Sequence, residues 1–113
     1  MSDCLFCRII SGEIPSAKVY EDALTYAFRD INPMMPVHVL VVPKQHLASV
    51  AAADEATDEV LAGCLRTCAK VAAQEGLTGG FRVVSNCGDD ACQSVQHLHF
   101  HVLGGGKMTD RMG

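Results

Sequence analysis

At 113 residues, with hydrophobic side chains at 49% of positions, the chain can fill one core and is too short for two ordinary domains. Residues 1–113 are therefore expected to form a single domain. The formal charge of -4, from 13 acidic against 9 basic residues, excludes the lysine and arginine surplus that binding a nucleic-acid polymer needs. The opening MSDCLFCRII carries an acid where a secretory leader would be basic, and Arg8 breaks its apolar run. Neither export nor membrane insertion is expected, which places the chain in the cytoplasm.

Leu5, Phe6, Ile9 and Ile10 recur at helical spacing across residues 3–11, which predicts a short amphipathic helix that stops at Gly12 and is closed off by Ile14-Pro15. Two β-prone runs follow, around Val19-Tyr20 and from Thr25 to Phe28. The Glu21-Asp22 pair between them suits a tight hairpin. Beyond Asn32-Pro33 and Pro36, the run Val37 to Val42 predicts a buried central strand closed by Pro43. From Asp54 to Glu75, apolar positions at Val60, Leu61, Cys64, Leu65, Cys68, Val71 and Ala72 repeat at three and four. They predict one long helix, stopped by Gly76. Phe81 to Ser85 reads as a strand, residues 86–91 as a polar loop, and Val95 to Leu103 as a last strand. The fold class expected is α+β: an antiparallel five-stranded meander sheet with a short N-terminal helix and one long helix, the helices on one side. Of the six cysteines, Cys64 and Cys68 lie on the apolar helical stripe, and most of the six read as reduced thiols.

The chemistry concentrates in Gln93-Ser94-Val95-Gln96-His97-Leu98-His99-Phe100-His101-Val102-Leu103. On a strand, period-two alternation sends His97, His99 and His101 to one side and Leu98, Phe100 and Val102 to the other. Imidazoles this close cannot all be protonated, so at least one stays neutral near pH 7, as a nucleophile or a metal ligand must. The competing reading is a solvated strand face that happens to hold histidines. Against it, the chain has five histidines, and the other two, His38 and His46, flank the apolar strand at residues 37–42.

His97 to Leu103, HLHFHVL, resembles the histidine triad signature, and the preceding Gln-Ser-Val resembles its Hint branch. FCRIISGEIPSAKVYED, AFRDINPMMPVHVLVVPKQH and AAQEGL resemble that branch too, in order and spacing. The resemblance implies a purine nucleoside phosphoramidase or nucleotidyl hydrolase acting at the α-phosphate of AMP- or GMP-linked substrates, and a homodimer paired through the long helix and a sheet edge. Its catalytic set would be His97, His99, His101 and Ser94. His99 attacks phosphorus to form a nucleotidyl-histidine that water then hydrolyses, with no catalytic metal required. The attacking ring is expected to donate its other nitrogen to a backbone carbonyl, which fixes the tautomer. His101 would bind and help neutralise the phosphate oxygens, while Ser94 and the backbone near Gln93 hold the phosphate and leaving group in line. Asp30 would accept from the ribose hydroxyls, Leu5, Phe6, Ile9, Phe28 and Ile31 would wall the base, and Asn86 would add a phosphate-side contact. The plainer readings are core packing for the apolar residues and a surface pair with Arg29 for Asp30.

Some bacterial members that this chain resembles hold a structural zinc on a set that corresponds here to Cys4, Cys7, His46 and His97, a closed tetrahedral site. Two alternatives stand beside it: Cys4 and Cys7 as small buried residues of the helix, and a redox CxxC, for which the flanking βαβ pattern is absent. The chain departs from the resemblance at Cys92, where glycine is usual, at Gln96, where an aromatic residue is frequent, and over residues 104–113. Hydrolysis of dinucleoside polyphosphates, a zinc-containing nucleotide-binding adaptor with vestigial activity, and a cysteine hydrolase using Cys92 are the other functions considered.

Overall fold

In the computed structural model, which describes residues 3–112, the elements follow the sequence closely. They are α1 (Leu5–Ile10), β1 (Lys18–Glu21), β2 (Thr25–Arg29), β3 (Val37–Pro43), α2 (Asp58–Gln74), β4 (Phe81–Val84) and β5 (Phe100–Gly104), with short 3₁₀ turns at Val50–Glu55 and Asp89–Ala91. The five strands form one antiparallel sheet of the expected class. Its order, β1-β2-β3-β5-β4, is not strictly sequential, because the β4-β5 hairpin docks by its second strand against β3.

Local chemistry sets the boundaries. Asp22 turns the β1-β2 hairpin by accepting from the Leu24 and Thr25 amides at 2.9 and 2.8 Å and from the Thr25 hydroxyl at 3.0 Å. The long helix begins later than the periodicity predicts. Thr57 caps it by accepting from the Val60 amide at 3.3 Å, with Asp58 and Glu59 on its first turn against the positive end of the dipole. Residues 50–55 upstream form the separate 3₁₀ turn. Gly76, at φ +71°, supplies the left-handed exit.

Strand alternation sorts the side chains into two layers. Ala27, Val39, Val41 and Val102 face α2 and pack on Cys68, Val71 and Ala72. Tyr26, Phe28, Leu40 and Val42 face the other way and pack on Phe6 and Ile9 of α1. The helices therefore lie on opposite faces rather than on one. Six residues of α1 are enough to cover only the β2-β3 half of their face, and the β5-β4 half stays open. Leu65, expected in the apolar stripe, is 59% exposed, and Thr67 takes a core place instead, paired with the buried Thr25 hydroxyl at 2.8 Å. Burial pushes the Cys64 and Cys68 thiols up to about 12 and about 11, so both stay protonated as packing residues. No helix among the described residues is long and apolar enough to cross a membrane.

Candidate active site and metal centre

The last strand is shorter than its alternation predicts. β3 offers partners only as far as Val41↔Phe100, so β5 starts at Phe100 and residues 95–99 leave the sheet. The reason is the end of β3. The Pro43 carbonyl, which would continue the ladder, instead accepts from His97 Nε2 at 2.9 Å, and the Leu98 amide goes to the Leu47 carbonyl. Of the triad only His101 is a strand residue, and the three rings part company.

His97, with 0% of its surface exposed, is drawn into a second cluster. Its Nδ1 lies 3.3 Å from Cys4 Sγ, 3.5 Å from Cys7 Sγ and 3.1 Å from His46 Nδ1, and Cys7 Sγ lies 3.4 Å from His46 Nδ1. Both ring nitrogens of His97 are thus engaged, Nδ1 within this cluster and Nε2 with the Pro43 carbonyl. The geometry fits a metal. Tetrahedral bonds of about 2.3 Å to sulfur and 2.0 Å to nitrogen separate neighbouring ligand atoms by roughly 3.3–3.8 Å. Moreover, His97 donates through Nε2, so its Nδ1 is a bare lone pair facing another Nδ1 and two sulfurs, an arrangement that a cation relieves. The Pro43 carbonyl is the outer partner that orients a metal-binding imidazole. Cys4 caps α1, its sulfur accepting from the Cys7 amide at 3.4 Å, so the helix start itself brings both thiols to one point.

His99 is 4% exposed, held edge-on against Phe6 with ring centroids 5.1 Å apart. Its Nδ1–H donates to the His97 carbonyl at 2.7 Å, the backbone contact expected of an attacking ring, and its own carbonyl is held by the Ser85 hydroxyl at 2.8 Å. In the tautomer that this contact selects, the lone pair lies on Nε2. That atom has no partner among the described residues, and it is not sealed from solvent.

The His101 ring sits 5.1 Å from that of His99 and is tied to a residue that sequence reasoning left out of the site, His38. The Met34 amide donates to His38 Nδ1 at 3.0 Å. A backbone N–H can only donate, so His38 must carry its proton on Nε2, from which it donates to His101 Nδ1 at 2.8 Å. His101 then carries its own proton on Nε2, the one buried side-chain polar atom without a partner among the described residues. Burial, followed by the neighbouring His99 and His38, pushes His101 down to about 4, against some help from Asp30, and burial likewise lowers His38. His101 is thus a neutral ring near pH 7 with an N–H to donate. His38 could have been found from its place in an otherwise apolar strand: two positions before Leu40, the partner of His101, it shares that face.

The folded protein takes up the His101 proton near pH 4 and the unfolded chain near 6.5, so unfolding binds a proton between those values and stability falls as pH drops from 6.5 to 4. The full loss is on the order of 3 kcal/mol. Urea unfolding at pH 7 and pH 5 is expected to show a smaller drop for His101→Asn, which has nothing there to titrate; equal drops would contradict it.

The remaining expected residues divide. Asp30 lies beside the histidines, Oδ2 3.4 Å from His38 Nε2, with Oδ1 accepting from the Asn32 amide at 2.8 Å. Arg29 is not its partner, being held by both oxygens of Glu75 at 2.8 and 3.0 Å. Phe6 and Ile9 of α1 are buried against the sheet in one cluster with Phe28, Leu5 is exposed, and Ile31 is 92% exposed beside Asp30, a rim position rather than core. The Gln93 side chain serves the loop, donating to the Ala48 and Val95 carbonyls and accepting from the Gly88 amide. Ser94 is exposed next to it. Asn86 and Cys92 line the open groove with His101. Cys92 sits at φ +60°, ψ +36°, a left-handed conformation that costs a side-chain-bearing residue about 1–2 kcal/mol and that glycine adopts freely.

A family model described as the HIT domain matches residues 11–108. The "14 kDa zinc-binding protein" of Zea mays is 50% identical over 110 residues, 96% of this chain and 86% of that protein. The Arabidopsis thaliana protein named adenylylsulfatase HINT1 is 48% identical over 96% of this chain and 75% of its own length. Among solved structures, a HIT family hydrolase from Clostridium thermocellum superposes with a TM-score of 0.94 at 42% identity, covering 99% of this chain and 98% of that one. The histidine triad nucleotide-binding protein from Candida albicans gives 0.82 at 35%, over 98% and 87%. Sequence, fold and the placement of the histidines agree: the chain belongs to the HIT domain family, in its Hint-like branch.

Proposed function

We propose that the chain is a hydrolase of purine nucleoside 5′-phosphoramidates, acting at the α-phosphorus of AMP- or GMP-linked substrates through a nucleotidyl-histidine on His99. The observation that carries this reading is the pair of complementary ring nitrogens: a bare Nε2 on His99, set by the His97 carbonyl, beside an N–H on His101 Nε2, set through His38 by the Met34 amide. One is a nucleophile without a proton to lose; the other is a donor awaiting an acceptor. The His99 lone pair forms the bond to phosphorus, and the phosphorus–nitrogen pair departs with the amine, which takes up a proton. Water then displaces His99, releasing the nucleoside monophosphate and restoring the ring. His101 donates to a phosphoryl oxygen, Asp30 accepts from the ribose, and Phe6, Phe28 and Ile31 border the base. Ser94 and the Gln93 backbone hold the leaving group in line, with Asn86 on the phosphate side.

Cys4, Cys7, His46 and His97 would hold a structural zinc with no open position, fastening α1 to the end of β3; the printed name of the maize relative supports this choice of metal. Reduced thiols at Cys4 and Cys7 suit the reducing cytoplasm. The exposed Leu65 on α2, with Phe81 and Val83 on the edge strand β4, supports a homodimer paired through those elements. Protein quenched during turnover of adenosine 5′-phosphoramidate tests the reaction: mass spectrometry is expected to find an adenylyl group on His99. An adduct on Cys92, or none under conditions where turnover is seen, would overturn it.

A further inference from the structure

Two short paths join the sulfurs of Cys4 and Cys7 to His99. One runs through α1: Phe6 lies between the two cysteines in the chain, and its ring packs edge-on against both His97 and His99, with centroids 5.9 and 5.1 Å away. The other runs through His97, whose Nδ1 faces both sulfurs and whose backbone carbonyl accepts from the His99 Nδ1–H at 2.7 Å. A change at the sulfurs therefore reaches both a wall of the site and the contact that sets the His99 tautomer.

The cluster has an inner and an outer side. His97 is fully buried, whereas Cys4 and Cys7 are half-buried and His46 is exposed, so a small solute reaches the sulfurs from the His46 side. All four ligand atoms lie within 4.8 Å of one another. Across the first turn of a helix, side-chain rotation is enough to bring sulfurs that close to the bond length of about 2.05 Å. The other thiols are set apart. Cys64 and Cys68 are kept protonated by burial in the core, and Cys87 and Cys92 are exposed on the loop before Gln93.

Resting on the zinc site proposed above, we propose that Cys4 and Cys7 form a redox-sensitive latch on His99: a hydroperoxide converts the metal-binding pair to an intrachain disulfide, and the nucleophile loses its support. The Cys7 thiolate attacks one peroxide oxygen, breaking the O–O bond, releasing hydroxide and leaving a sulfenic acid. The Cys4 thiolate then attacks that sulfur, forming the S–S bond and displacing a second hydroxide. Two thiolates are oxidised, the peroxide is reduced, and both hydroxides take protons from solvent to become water. Two imidazoles remain, too few to retain the ion. The start of α1 loses its fastening to His46 and His97, and Phe6 moves with it.

The test titrates zinc-containing protein with hydrogen peroxide, alongside the variant Cys87→Ala/Cys92→Ala, whose remaining cysteines outside the core are Cys4 and Cys7. Released zinc is read with a chromogenic chelator, the disulfide by peptide mapping, stability by melting temperature, and chemistry by kcat on adenosine 5′-phosphoramidate. Zinc release is expected to keep step with the Cys4–Cys7 disulfide, with a lower melting temperature and a kcat at least about tenfold lower, since small misplacements of a reacting group cost that much. Dithiothreitol with added zinc is expected to restore all three, and both proteins are expected to behave alike. A disulfide that leaves kcat unchanged, thiols at Cys4 and Cys7 that survive while Cys87 and Cys92 oxidise, or a fall in kcat that the variant does not show, overturns the latch. Elemental analysis before oxidation reports separately on the metal: protein that neither holds nor takes up zinc sinks that reading, while the effect of the disulfide on kcat still decides the latch. Should the phosphoramidate not turn over, solvent exchange of the His99 Nδ1–H, followed by NMR, replaces kcat. Oxidation is expected to speed that exchange at least about tenfold, and an unchanged rate overturns the proposal.

Discussion

Replacing His99 by asparagine is expected to lower turnover of an adenosine phosphoramidate by at least about a thousandfold while nucleotide binding stays within a few-fold. Asparagine fills much of the same space between Phe6 and the His97 carbonyl, so the walls of the site survive and only the lone pair at Nε2 is lost. Steady-state rates together with titration of AMP check both halves. Cys92→Ala is the control, since an exposed thiol at the groove is the alternative nucleophile. It is expected to leave turnover largely intact, and the reverse pattern would move the chemistry to Cys92.

The second large effect concerns the sulfur-imidazole cluster. Cys7→Ser is expected to abolish stoichiometric zinc, measured by elemental analysis of purified protein, and to lower unfolding free energy by about 3 kcal/mol or more, since a site assembled only in the folded chain makes metal binding part of the folding free energy. The size of the loss decides between two readings. A small buried thiol replaced by a hydroxyl would cost only about 1 kcal/mol and leave metal content unchanged. The consequence reaches the active site, because α1 carries Phe6, whose ring packs on both His97 and His99. Loosening the helix is therefore expected to cost activity as well as stability.

Much of the chain could be read before any coordinates. A β-prone run located β2, a continuous apolar run located β3 and the three-and-four spacing located α2, because each signal is a property of the single element that shows it. Where the reading slipped, a second element was involved. Leu65 belongs to the apolar stripe by spacing, yet the fold of the described residues leaves it 59% exposed. The triad segment alternates as a strand should, yet β3 ends at Pro43 and gives His97 a carbonyl instead of a ladder partner.

The ingredients of the candidate site were legible in the sequence: the HLHFHVL run, the CxxC pair and the acid at position 30 stand out by residue type, order and family resemblance. The protonation pattern was not. Whether His99 presents a lone pair and His101 a proton depends on which groups meet the far nitrogens of His99, His101 and His38, and Met34, His38 and His101 come together only when β3 pairs with β5. A tautomer is chosen by the hydrogen bond across the ring, and that bond is a tertiary contact.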